Sequence, residues 1–456
     1  MLVDRKKRPE SFGEISFSVP DIKTNKLNNE LKVYFSEKKE LPIIRINFLA
    51  NCGSRFDPKN SRGLSNLLSM CIDEGAGKFN SLQLADEIEL LGAQFSVGAD
   101  SDLIVISLQV LTENFVPALK LFKSVITEPH LNEEDFNREK RKILVRLNQL
   151  KMEPDYVADI SFEYFLLGND CAYAFPVIGK EKDIQSIQHQ LVRDFYSQKF
   201  TPLNSSFIIV GNIKPDSLYK TLNEEFSNWR NTQPDSRQDL LVKKTQKKIY
   251  LVNKPDSVQT EIRIGHLTTK RNQNDFFQKQ ILDLILGGQF SSRLNLNLRE
   301  KHGYTYGVHS GFYYFKEAGY FSVSTSVDTE NTTNALKEIL SELKKIKGGI
   351  TKEELDFAKS SLVKRFPANF ETYRQIASNI GSKLLHNLPD DYFETYIQKI
   401  NSLNSDGVNS IAQSAFNPDE LITVLVGDKG KILNQLSKED FGEVKSLEFD
   451  ELFNHS

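Results

Sequence analysis

Apolar and polar positions alternate in short runs along much of this chain, and one order of runs occurs twice. An apolar, strand-like run from Leu103 to Leu111 leads into Thr112, Glu113 and Asn114, then into a helical stretch holding Ala118, Leu119 and Lys120. In the second half Phe321, Val323, Thr325 and Val327 take one face of an alternating strand with serines on the other; Thr329, Glu330 and Asn331 follow, then Ala335, Leu336 and Lys337. Thr112 and Thr329 are 217 residues apart. Phe200-Thr201-Pro202 before the apolar run 207–210 and Gly211 returns 216 residues later as Phe416-Asn417-Pro418 before the run 422–426 and Gly427. Two separated blocks with nearly one offset and one element order predict a tandem duplication.

Between the repeats, Asn231 to Gln238 is polar and helix-breaking, which predicts a linker and two lobes, 1–235 and 236–456. Each would have about 220 residues, an ordinary domain size. The strands mostly alternate rather than run continuously apolar. That pattern predicts an α+β fold of two homologous lobes, each a mostly antiparallel sheet covered by helices on one face. Residues 63–72 read as a buried amphipathic helix with Cys71 on it.

Composition narrows the function. The 456 residues are 39% hydrophobic and 26% charged, enough for more than one globular core. With 58 Lys and Arg against 61 Asp and Glu, the formal charge of −3 gives no pull toward nucleic acid or anionic lipid. The basic run Arg5-Lys6-Lys7-Arg8 has no apolar stretch behind it, so neither a signal peptide nor a membrane span is expected and the cytoplasm is the expected location. Cys52, Cys71 and Cys171 lack metal-ligand spacing and read as reduced and structural.

Self-contained hydrolytic chemistry finds little support. None of the seven histidines, His130, His189, His266, His302, His309, His386 and His455, has another at i+3 or i+4, the spacing that puts two imidazoles on one helix face. Asp73-Glu74 and Glu133-Glu134-Asp135 suit the end and the start of helices, the latter where carboxylates complement the helix dipole. No serine nucleophile motif or glycine-rich phosphate loop is present.

Several segments together resemble a known family. Gly53-Ser54-Arg55, Arg62-Gly63-Leu64, Glu74-Gly75 and Leu90-Leu91-Gly92-Ala93 are similar to the N-terminal domain of the pitrilysin and mitochondrial processing peptidase family, the inverted-motif zinc peptidases. Asn253-Lys254-Pro255, Gln259 and Ile262-Arg263-Ile264-Gly265 resemble the start of that family's C-terminal domain. So do Leu286-Gly287-Gly288, Ser292-Arg293-Leu294, Leu298-Arg299-Glu300 and Gly303-Tyr304-Thr305-Tyr306 farther on. The resemblance runs from about Phe12 to Gly427 and implies two lobes forming half of a clamshell.

Aligned on Arg62-Gly63-Leu64, the resemblance puts the family's two zinc histidines at Ser65 and Ser69 and its glutamate base at Leu68. A third ligand, a glutamate roughly eighty residues on, falls at Arg146, upstream of Met152-Glu153-Pro154. Neutral hydroxyls are poor zinc ligands, leucine takes no proton from water, and a guanidinium repels a divalent cation. No metal is therefore expected in this chain. The resemblance further implies that Arg299 and Tyr306 bind substrate and help polarise the scissile carbonyl beside zinc supplied from elsewhere. Read as residues alone, Arg299 equally suits a solvated helix face beside Glu300 and Lys301, and Tyr306 the start of a half-buried strand. Gly287 and Gly288 suggest a tight turn. The expected function is that of a non-catalytic subunit paired with a zinc-bearing homologue, the two enclosing a peptide or unfolded polypeptide. A structural or assembly subunit, or a homodimeric peptide-binding protein without hydrolysis, are the alternatives.

Overall fold

The computed structural model describes residues 17–231 and 246–452. The expected boundary at 235/236, nearly all of the expected linker, the basic run near Arg5 and His455 lie outside the described residues.

The duplication is visible in the topology. The first half contributes β1 (Lys23–Lys26), β2 (Lys32–Glu37), β3 (Ile43–Ala50), the small hairpin β4 (Gly75–Ala76) and β5 (Phe79–Asn80), β6 (Gln94–Ala99), β7 (Ile104–Leu111) and β8 (Ser205–Gly211). The second half contributes β9 (Lys248–Asn253), β10 (Gln259–Thr268), β11 (Val308–Tyr314), β12 (Gly319–Asp328), β13 (Ile422–Gly427) and β14 (Val444–Leu447). The two large sheets run β1-β2-β8-β3-β7-β6 and β14-β9-β13-β10-β12-β11: five strands repeat in one order, and the edge strand beside them is the first of its half in one sheet (β1) and the last in the other (β14). Pairing is antiparallel except at β2–β8, β9–β13 and β9–β14, so the sheets are mostly antiparallel as expected. Along β12 the alternation resolves as read: Phe321, Val323 and Val327 enter the core while Ser324 and Ser326 do not.

One face of each sheet carries its own half's helices. In the first half Leu64, Leu67, Leu68, Phe115, Phe122 and Ile143 join Ile44, Ile46, Phe48 and Phe207 in one core. In the second half Ile281, Leu282, Leu336, Ile339 and Val408 join Ile262, Ile264, Phe321 and Val323. Fully burying each such side chain is worth about 1.5–3 kcal/mol.

The other face is covered by exchange, a feature the one-face expectation lacked. The helix Pro154–Leu167 of the first half lies on the second sheet, packing Val157, Phe162 and Leu166 against Val252, Ile422, Val424 and Val426. In return, the helices Tyr373–Leu385 and Tyr392–Ser402 lie on the first sheet, with Ile376, Ile380 and Tyr396 in the cluster around Leu49, Ile208 and Val210. The reason is in β8 and β13, whose unbroken apolar runs bury side chains on both faces and need cover on both.

Candidate functional site

The helix Leu64–Cys71 is entered through Gly63, whose φ of 98° lies in the left-handed region and whose Cβ, if present, would meet Ile184 and Gly179 at under 3 Å. The buried Asp57 caps the helix from the preceding loop, accepting the amides of Gly63 at 2.8 Å and Ser65 at 2.9 Å. Burial pushes this carboxyl up to about 7, against the pull of those same amides. Arg62 folds back to donate to the Asp57 carbonyl at 3.0 Å and lies over the Phe175 ring.

Ser65 and Leu68 are fully buried, and Ser69, nearly so, donates its hydroxyl to the Asn66 carbonyl at 2.7 Å. The buried amphipathic helix is thus present as expected. It packs against the helix Glu133–Leu150, which carries Arg146 and stops before Glu153 and Pro154. Arg146 lies at the surface and pairs with Glu153 at 3.3 Å. With Arg138, Arg141, Lys142, Val145 and Gln149 it lines a shallow groove of about 360 Å³. The structure therefore brings two hydroxyls, a leucine and a cationic rim to neighbouring helices, a donor set that does not fit zinc.

Sequence reasoning named Glu74 and Asp135 but missed Glu139 beside that rim. Glu139 is buried in mid-helix; it shares Arg138 with Glu74 and Asp135 and also takes Lys142, through contacts of 2.5–3.1 Å. Its signal was available, because Glu139 falls between Phe136 and Ile143 on the apolar stripe. These acids are occupied by cations, and among the described residues no three His, Cys, Asp or Glu side chains form a metal-holding group.

In the second half Arg299 sits on a π-helical turn, Asn295–Lys301, a geometry common at functional sites. The buried Asn295 side chain anchors this turn: its amide donates to the carbonyls of Gln289 and Val308 and to the Ser292 hydroxyl, and its oxygen accepts the Val308 amide at 3.2 Å. Asn297 donates to Glu338 and Glu342, both at 2.8 Å. One buried amide thus fixes the glycine-containing loop and the start of β11 around Arg299. The guanidinium lies over the Phe290 ring at 4.1 Å, and the Glu300 carboxylate is 3.7 Å away.

Tyr306 is 94% exposed, so it does not start a half-buried strand; β11 begins at Val308, after a turn closed by the Thr305 hydroxyl. Among the described residues no hydrogen bond joins Arg299 to Tyr306, and each reaches solvent separately. Gly287 and Gly288 lie in the turn that ends the helix Phe276–Leu286, as expected, though neither has positive φ. A Cβ at Gly287 would stand 2.6 Å from the Ser310 hydroxyl and 2.7 Å from its amide, so the residue is needed for close approach to β11. His302 stacks on Tyr304 and His309 is exposed. The three cysteines are free and buried, and burial pushes the Cys71 thiol up to about 12, which removes its nucleophilicity near neutral pH. No described helix is long and apolar enough to cross a membrane.

Comparison with known proteins agrees on one family. Residues 32–169 match the insulinase family, peptidase family M16, and residues 186–362 match the peptidase M16 inactive domain. A Helicobacter pylori protein described as the non-peptidase homolog YmxG is 24% identical over 88% of this chain and 93% of its own. A Rickettsia felis protein described as an uncharacterized zinc protease is 25% identical over 74% of this chain and 81% of its own. Among solved structures, a peptidase M16 inactive domain from Pseudomonas fluorescens superposes with a TM-score of 0.84 at 26% identity, covering 90% of this chain and 98% of that one.

Proposed function

We propose that this chain, which belongs to the M16 peptidase family, is an inactive homologue that holds peptide for a zinc site carried by a separate, related chain. The observation that carries the reading is Tyr306: a phenol almost fully in solvent, without a hydrogen-bond partner among the described residues, at the end of a segment that buried Asn295 fixes and that also carries Arg299. Exposed aromatic and guanidinium groups on a rigid support are the composition of a contact site. Both donate hydrogen bonds, Arg299 as a fork and Tyr306 as a single hydroxyl, and both suit backbone carbonyls of an extended peptide. The outer strands β6 and β11 each leave one edge free, where such a peptide could add as a further strand in the cytoplasm.

Metal activation of water would come from the partner chain, because Ser65, Leu68, Ser69 and Arg146 offer no ligand set. What this chain contributes is binding and, when the complex is closed, hydrogen-bond donation toward the carbonyl that becomes an oxyanion. The direct test is zinc content and peptide hydrolysis of the purified chain, alone and mixed with a homologue bearing two histidines and a glutamate on its metal helix. Hydrolysis only in the mixture is expected. One bound zinc per chain with chelator-sensitive cleavage by the chain alone would overturn the reading, as would a partner whose turnover ignores this chain. Co-purification with membrane complex subunits instead would favour an assembly role.

A further inference from the structure

A second site lies apart from Arg299 and Tyr306, where the loop before the helix Phe276–Leu286 meets the helix Tyr392–Ser402 from its first residue to its last turn. These segments enclose a cavity of about 260 Å³. Its wall presents two cations, Arg271 and Lys399, above the rings of Phe276, Phe277 and Tyr392, and its lining includes no carboxylate.

The cations are held by rings and not by acids. Arg271 lies over the Phe276 ring, sits 5.1 Å from the centre of Tyr392 and donates to the Tyr392 hydroxyl. Lys399 stands 5.7 Å from the centre of Phe277. Neither pairs with a carboxylate among the described residues. The nearby acids have cations of their own: Glu317 takes Lys270 at 2.6 Å, Asp275 takes Lys279 at 2.7 Å and Asp390 takes Lys383 at 3.2 Å. The uncompensated charge is felt next door, where burial and then Arg271 push the His386 imidazole down to about 4.

Unneutralised cations on one wall and aromatic faces beneath them select a ligand with the complementary halves. The volume selects further. It lies below the roughly 300–1,000 Å³ of pockets that hold drug-sized molecules, which leaves out nucleotides and folded segments. We infer that this cavity binds a small carboxylate that bears an apolar or aromatic group, Arg271 and Lys399 holding the carboxylate and the rings holding the body. The inference does not depend on the peptide-holding role of Arg299 and Tyr306. The same chemistry occurs in a free aryl-alkyl acid and in the last residue of a peptide.

Calorimetric titration of the full chain tests it with four probes: 3-phenylpropanoate, N-acetylphenylalanine, N-acetylphenylalanine amide, and an acetylated pentapeptide ending in phenylalanine. Saturable millimolar binding of at least one acid is expected, with the amide weaker by about tenfold or more. The ratio between phenylpropanoate and the pentapeptide identifies the free acid or the peptide terminus as the better source. Arg271→Gln would also disturb packing on Phe276, so Lys399→Gln is the cleaner variant. It should weaken the acids by about threefold or more at unchanged melting temperature. Equal binding of acid and amide, absence of saturable binding by any acid, or indifference to Lys399→Gln would each overturn the inference.

Discussion

Replacing Arg299 and Tyr306 separates a contact role from a structural one, because the structure makes their contribution to stability small. Tyr306 has no hydrogen-bond partner among the described residues and is 94% exposed, so Tyr306→Phe should change stability by less than about 0.5 kcal/mol. Arg299→Ala removes an exposed stack on Phe290, worth about 0.5–1 kcal/mol, and a 3.7 Å approach to Glu300 that contributes little at a solvated surface. The double variant should therefore lose about 0.5–1.5 kcal/mol, a fall of a few degrees in melting temperature for lobes of this size. Turnover should respond on another scale. Removing one preorganised donor to a developing oxyanion costs about 10²–10³ in kcat, and two donors acting together are not additive. In complex with a zinc-bearing homologue, the double variant is expected to lower kcat by about 10²-fold or more while the complex keeps its size on gel filtration. Arg299→Lys keeps the charge and loses the fork, so it should recover little. Turnover of the double variant within about threefold of the parent, at equal complex concentration, would remove both residues from the mechanism.

Two further outcomes probe the scaffold. Glu163 accepts the Tyr320 hydroxyl at 2.9 Å, and burial pushes its carboxyl up to about 7 against that bond. A folded pKa above the unfolded one means stability present below about pH 4.5 and lost as pH rises through 7. Glu163→Gln keeps the acceptor and abolishes the titration, so it should exceed the parent in stability at pH 8 by on the order of 1–3 kcal/mol and match it at about pH 4; parallel melting curves at both pH values would refute the assignment. Gly287→Ala forces a Cβ onto Ser310 and should destabilise by about 1–3 kcal/mol, read by denaturant titration, whereas a neutral result would show that β11 yields at no cost.

The sheets were legible because their signal is local. Alternation along 321–327, the Thr-Glu-Asn turns and the Phe-x-Pro entries to β8 and β13 each report a strand or a turn without reference to distant residues. The helix exchange depends on what lies against a strand, and a run such as Phe207 to Val210 shows only that both faces want cover, not which helix supplies it. The same limit applies at the candidate site. Ser65, Leu68, Ser69 and Arg146 were placed by resemblance to a known family, but the exposure of Tyr306, the π-turn under Arg299 and the Asn295 anchor arise from packing that no periodicity encodes. Gly287 was legible as a turn residue, but sequence gives a glycine's position and not the strand that crowds it.

The exchanged helices also constrain how a peptide could enter. Separating the halves of this chain would strip Val157, Phe162 and Leu166 from the second sheet and Ile376, Ile380 and Tyr396 from the first. At about 1.5–3 kcal/mol for each large apolar side chain re-exposed, the six alone cost about 9–18 kcal/mol, as much as the whole stability of a typical domain. Polar ties also cross between the halves: Tyr320 to Glu163, Arg263 to Asp159, and the Lys316 amide to Asp102. The two halves therefore move together as one wall. If a chamber opens around Arg299 and Tyr306, the opening must lie between this chain and a second one, so the partner's affinity and its rate of dissociation, not a hinge near residue 235, would set how peptide gains access.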